Sequence, residues 1–397
     1  MLPTRRFKFS YLVRSDGGLE QRSVVVPVEV RSRGRPSPSP FPGPRPVLVF
    51  SAGFLTQPSA YGRLIDGLVD AGCAVVTYGT TFESLSAPLD DLDHARLLLS
   101  VWREAEAAQA ESNLAPGSLF LVGHSRGAKL SVLAAAQAAA EGGTSTQGSS
   151  RPQLPDPPAG LILLDPADGS FEPQDPARFP SALAVLRAAQ AETEASGQDA
   201  DTRARDTSVS GAAQGPGRVQ SLGGLPVLVL GAARGVDCVP KAKGAKAFFQ
   251  ATPGPSALVT LADAGHMQFA DRSDGLLQSV CATGRARHED IADTSAALTA
   301  AFAWGVAGAL EAARAEAEAL AQAEAAMLGA SAPGRDGRGQ AGQSQGKGKD
   351  GGGAAGVEEE GGVEVRARVG REELRRWCKG ALRDSVLRTE LAVAEAG

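Results

Sequence analysis

Short apolar runs, each closed by turn residues, recur along the chain and predict strands. They are Phe7–Val13, Ser23–Val30, Pro46–Ser51, Cys73–Tyr78, Ser118–Val122, Gly160–Leu164, Pro226–Leu230 and Ala257–Leu261. Leu48–Phe50, Leu119–Val122 and Leu161–Leu164 are apolar without alternation. Strands covered on both faces need that pattern. Between the runs the period changes. Leu64, Ile65, Leu68 and Val69 share one face of a helix predicted over Tyr61–Ala71. Leu92, Leu97, Leu98, Val101 and Trp102 do the same over Leu89–Ala110, and Lys129–Ala140 is rich in Ala and Leu. Paired strands come first and alternating strands and helices follow. That order predicts an antiparallel edge running into a mostly parallel sheet with helices on both faces.

Four stretches break the pattern. Ser32–Pro46 and Gly142–Pro158 are Pro/Gly/Ser loops, Ala191–Gly217 is small and polar, and Ser331–Gly362 is almost all Gly, Ala, Gln and charge. We therefore expect one catalytic domain over residues 1–330, with loop insertions at 142–158 and 191–217, then a flexible linker over 331–362. Leu374, Trp377, Leu382, Val386 and Leu391 give Glu372–Ala394 a helical periodicity, so a terminal helical segment is expected within 363–397. The run Ala296–Leu310 is too short for the ~20 residues that span a bilayer and reads as a core helix.

Composition narrows the function. Of 397 residues, 43% are hydrophobic, enough for a substantial core. A net charge of −5 argues against a nucleic-acid partner. Cys73, Cys238, Cys281 and Cys378 form no CxxC pair, so neither a zinc site nor a dense disulfide framework is expected, and Cys73 and Cys281 read as buried apolar residues. No metal and no cofactor is expected. Arg5, Arg6, Lys8 and Arg14 give the first residues the charge of a transit peptide, but Phe7–Val13 reads equally well as a first strand.

The candidate chemistry centres on Gly123-His124-Ser125-Arg126-Gly127, which fits G-x-S-x-G. A strand that turns sharply into a helix puts the serine at the apex, and side chains two residues either side of it would collide. The strand before (Ser118–Val122) and the helix after (Lys129–Ala140) supply that context. Of the histidines, His266 follows the last predicted strand, where this architecture holds its general base. His94 lies in an amphipathic helix, His124 sits inside the elbow, and His288 begins an acidic helix start. The acid has three candidates: Asp165 and Asp168 after Gly160–Leu164, and Asp237 after Pro226–Leu230. A carboxylate ending an apolar strand is expensive unless paired, which favours Asp165. The oxyanion donors expected are the backbone N–H groups of Phe54, in the loop after Pro46–Ser51, and Arg126.

These segments resemble the chlorophyllase family of α/β-hydrolases, in an algal type. Gly123–Gly127 with Lys129 is similar to its GHSRGGK lipase motif, Asp165-Pro166-Ala167-Asp168-Gly169 to its DPVDG segment, and Gly265-His266-Met267 to its GHM segment. A Phe-Leu-x-Gln turn at Phe54–Gln57 extends the resemblance, which covers roughly residues 20–310. It implies a cofactor-independent serine esterase that cuts the phytyl ester of chlorophyll, with Asp165 as the acid. It also implies a chloroplast location and peripheral contact with a membrane. Two departures stand out: Ala52 where the family has histidine before the oxyanion-hole glycine, and Ala128 where it has glycine. They bear on substrate choice, where a general lipase or carboxylesterase is the rival. An inactive pigment-binding scaffold is the rival of a different class.

Overall fold

Six of the apolar runs become neighbouring parallel strands, because each has two faces to bury. In this computed structural model the described residues are 5–15, 18–33, 45–79, 89–111, 119–142, 158–169, 175–205, 222–234, 238–271, 281, 283–330, 376 and 389–394. The strands are β1 (Arg5–Ser15), β2 (Gly18–Arg31), β3 (Val47–Ser51), β4 (Ala74–Tyr78), β5 (Leu119–His124), β6 (Gly160–Leu164), β7 (Val227–Ala232), β8 (Ser256–Leu261) and β9 (Thr389–Ala394). They form one sheet in the order β1-β2-β4-β3-β5-β6-β7-β8-β9. β1 pairs antiparallel with β2, and β2 antiparallel with β4. From β4 through β8 every pairing is parallel. This mixed, mostly parallel sheet, with its elbow after β5, is the α/β-hydrolase fold.

Helices α1 (Gly62–Asp70), α2 (Asp91–Glu111), α3 (Arg126–Gly142), α4 (Ala182–Arg205), α5 (Ala245–Ala251) and the part of α6 (His288–Ala330) before Leu310 cover the sheet. Strand alternation sorts them. Val47, Val49, Leu119, Leu121, Leu161, Leu163, Val227 and Val229 face α2, α3, α4 and α5 in one cluster. The intervening residues turn to α1 and α6: Phe120 meets Phe302 edge-on at 6.4 Å, and Trp304 Nε1 donates to the Ala71 carbonyl at 3.0 Å. α6 is apolar and long enough over His288–Glu316 to cross a membrane. Its Ile291, Leu298, Phe302 and Val306 are instead fully buried in the protein, as expected of a core helix. By compactness the chain divides into residues 1–309 with 368–397, and residues 310–367. Among described residues, the second unit holds the end of α6.

Three expectations need correction. Thr389–Ala394 is not helical but a strand, paired antiparallel with β8 from Ser256 opposite Ala394 to Leu261 opposite Thr389. The edge of β8 offers a row of backbone donors and acceptors, and pairing them overrides the helix preference of Ala, Leu and Glu. The rest of 363–397, apart from a helical Arg376, lies outside the described residues. Within the insertion expected at 191–217, residues up to Arg205 continue α4, since Ala, Gln, Glu and Arg are good helix formers. Its remainder, the linker at 331–362 and residues 143–157 lie outside the described residues. Finally, Cys281 is not a lone apolar residue. It forms a disulfide with Cys238, with Cα atoms 5.1 Å apart. Cys73 is free and buried, and burial pushes its thiol up to about 12.

Candidate active site

The sharp turn at the elbow is built from glycine. A Cβ on Gly123 would strike the backbone of Gly127 and Ala128, and one on Gly127 would strike the carbonyls of Ser51 and Ala52. Both positions must therefore lack a side chain. The apex, Ser125, has φ of 55°, a left-handed conformation that costs a non-glycine residue roughly 1–3 kcal/mol. Neighbours hold it there. Its N–H donates to the Leu164 carbonyl at 2.9 Å, and its carbonyl accepts from the N–H groups of Ala128 (3.1 Å) and Ala167 (3.3 Å).

Ser125, Asp165 and His266 follow the carboxyl ends of β5, β6 and β8, and the structure brings them together. His266 Nδ1 lies 2.6 Å from Asp165 Oδ2, and His266 Nε2 lies 2.9 Å from Ser125 Oγ. A carboxylate only accepts, so Nδ1 carries the proton and Nε2 is left to accept from the Ser125 hydroxyl. Asp165 is buried yet satisfied: its other oxygen accepts from the Ala232 N–H at 2.9 Å. The backbone here is held left-handed too, with φ of 37° at Asp165.

Of the rival acids, one is engaged elsewhere. Asp168 caps α4, accepting from the Ser181 hydroxyl, from Ala182 N–H (2.9 Å) and from Leu183 N–H (3.4 Å). Asp237 lies outside the described residues. His94 accepts from the Arg126 guanidinium at 3.0 Å, and burial followed by that cation pushes its imidazole down to about 3. His288 donates to the Ala270 carbonyl at 2.8 Å and orders the start of α6.

The two residues expected to supply the oxyanion donors are neighbours. Arg126 is the first residue of α3, so its N–H has no acceptor inside the helix, and the helix dipole points the same way. Phe54 follows Gly53, whose carbonyl accepts from both the N–H (3.2 Å) and the hydroxyl (2.8 Å) of Thr56. That tight turn carries Leu55 into φ of 56° and leaves Phe54 and Leu55 exposed. Among the described residues, neither N–H enters a loop or cap hydrogen bond. The Arg126 guanidinium sits 6.0 Å from the centre of the Phe54 ring, a cation–π contact across the two donors.

Beneath the site lies a charge cluster that sequence reasoning missed. Asp91, nearly inaccessible, pairs with Arg126 at 2.7 Å and with Lys129 at 2.6 Å, and Lys129 is 3.9 Å from Asp168. Two cationic side chains thus face two carboxylates, so no buried charge is left without an opposite partner. Also missed were Gln268 and Tyr61. The buried Gln268 amide accepts from Gly265 N–H at 2.7 Å and donates to the Ala286 carbonyl at 2.6 Å, fixing the loop of His266. Tyr61 sits within a helical pattern that gave no hint of its hydroxyl's partners. The disulfide gave no such signal either, since Cys238 and Cys281 are 43 residues apart and form no spaced motif.

No metal-ligating cluster of His, Cys, Asp or Glu occurs among the described residues. No protein-family model matches the chain, and no curated protein matches it. Among solved structures, it is similar to a ferulic acid esterase from Streptomyces cinnamoneus, at 17% identity over 76% of this chain and 88% of that one, with a TM-score of 0.40. It is similar also to Thermogutta terrifontis esterase 2 phosphoramylated by tabun, at 15% identity over 68% of this chain and 89% of that one, with a TM-score of 0.41. The fold itself is fixed by strand order and elbow: the protein is an α/β-hydrolase in architecture.

Proposed function

We propose that this protein is a serine esterase that hydrolyses the phytyl ester of chlorophyll to chlorophyllide and phytol. The observation that carries the esterase reading is the unbroken hydrogen-bonded line Asp165–His266–Ser125, at 2.6 and 2.9 Å. The choice of ester rests on the resemblance of the Ser125, Asp165 and His266 segments to the chlorophyllases. The same resemblance points to the chloroplast. Exposed Phe54 and Leu55 at the rim suit a substrate that lives among lipids.

Ser125 Oγ attacks the ester carbonyl while its proton passes to His266 Nε2. Asp165 holds the ring through Nδ1 and stabilises the imidazolium. The N–H groups of Phe54 and Arg126 receive the oxyanion, each worth about 3–4 kcal/mol of transition-state stabilisation. His266 returns the proton to the departing phytol oxygen. Water, deprotonated by the same imidazole, then releases chlorophyllide and regenerates Ser125. The magnesium belongs to the substrate.

Purified protein incubated with chlorophyll a should yield chlorophyllide on chromatography, and Ser125→Ala should yield none. If only triglycerides or short p-nitrophenyl esters are cut, the protein is a general esterase. A folded wild type that a fluorophosphonate probe fails to label is no serine hydrolase.

A further inference from the structure

His124 is fully buried beside the nucleophile, and the mechanism above does not use it. Its two ring nitrogens nevertheless reach two separate parts of the machinery. Nε2 lies 3.0 Å from the backbone carbonyl of His266, and Nδ1 lies 2.8 Å from the Tyr61 hydroxyl. A carbonyl only accepts, so Nε2 carries the proton and Nδ1 accepts from Tyr61. The Tyr61 oxygen in turn accepts from the Gly53 N–H at 3.2 Å, one residue before the candidate oxyanion donor Phe54, and touches Thr56 Oγ1 at 3.1 Å.

The packing is as tight as the bonding. A Cβ on Gly53 would come 3.0 Å from His124 Nδ1 and 3.2 Å from the Tyr61 hydroxyl. The His124 ring stacks on Phe269 at 5.6 Å and lies 4.9 Å from the His266 ring. Tyr61 meets Phe50 edge-on at 4.9 Å. Both groups are held in one protonation state. Burial raises Tyr61 to about 12. Burial, then the neighbouring His266, drives His124 well below its ordinary value.

We propose that Tyr61 and His124 are positioning residues that tie the oxyanion loop to the loop of the general base, so that donor and base keep one fixed spacing. The inference rests on the esterase reading. It adds a requirement that Ser125, Asp165 and His266 alone do not impose.

Tyr61→Phe removes one buried oxygen and keeps the ring. On a short p-nitrophenyl ester, kcat should fall about 10- to 100-fold while KM stays within twofold, because the loss falls on the transition state. Affinity for a trifluoromethyl ketone, which mimics the oxyanion, should fall by a similar factor. His124→Gln can set its amide N–H where Nε2 stood, towards the His266 carbonyl, but puts no acceptor at the Nδ1 position that faces Tyr61, so it should show the same split. The double variant should lose no more than the worse single one, since one tie is cut twice. An active wild type whose Tyr61→Phe variant keeps kcat within threefold overturns the tie alone. So does a loss that appears in KM, or one that adds in the double variant. A wild type inert on every ester removes the esterase reading and the tie with it.

Discussion

Asp165 and Asp168 stand three residues apart and do different work. The first meets His266 at 2.6 Å, and the second gathers the N–H groups that open α4. Asp165→Asn should leave His266 in the wrong tautomer and lower kcat by about 10⁴-fold with little change in fold. Asp168→Asn should keep kcat within a few-fold and lose about 1–2 kcal/mol of stability, because a cap is weakened and Lys129 loses a neighbour. Steady-state kinetics and urea unfolding of the two variants separate the roles. The opposite assignment would make Asp168 the acid. Sequence alone left this open, because a terminal strand carboxylate and a turn carboxylate have the same neighbours in print. Only the return of the β8 loop across the sheet decides between them.

Elements were more legible than contacts. Every predicted strand exists: the six parallel ones are short apolar runs buried on both faces, and the two antiparallel ones alternate between buried and exposed residues. The last strand escaped for the converse reason. Leu391 and its neighbours spell a helix until an unpaired edge is offered to them. The disulfide escaped because pairing depends on which loops share a rim. Cys238 follows β7 and Cys281 follows the short helix of His266, so their bond joins the segments that come after those two elements. The partners are 43 residues apart, and closing a loop of that length restricts the unfolded chain by about 4 kcal/mol in the entropic model. Cys238→Ser/Cys281→Ser should therefore melt several degrees lower than the wild type, by calorimetry under oxidising conditions. An unchanged melting temperature would mean the bond contributes nothing.

At the scale of the whole molecule, two histidines are folded into places that reject a proton. Burial lowers His124, with His266 adding to it, and burial with Arg126 brings His94 down to about 3. In the unfolded chain both would take a proton near the ordinary value of about 6.5. The unfolded state thus binds more protons below that pH. The contribution of each histidine to stability is whole above about 6.5, and it falls by up to about 1.4 kcal/mol for each pH unit below it. For His94 the decline continues to about 3. Thermal unfolding between pH 7 and pH 4 should show a falling melting temperature, shallower in His124→Gln. A flat profile would contradict the assignment of both rings as neutral.

The sheet also sorts the chain into two margins. Ser125, Asp165 and His266 all come after a strand has finished. Ser32–Pro46, Gly142–Pro158 and the residues after Arg205 instead lead into β3, β6 and β7. Residues can be gained or lost in those stretches for little more than the slow logarithmic cost of a longer closure, about 0.6 kcal/mol for each doubling. A change of length on that border leaves Ser125, Asp165 and His266 spaced by the strand ends that carry them.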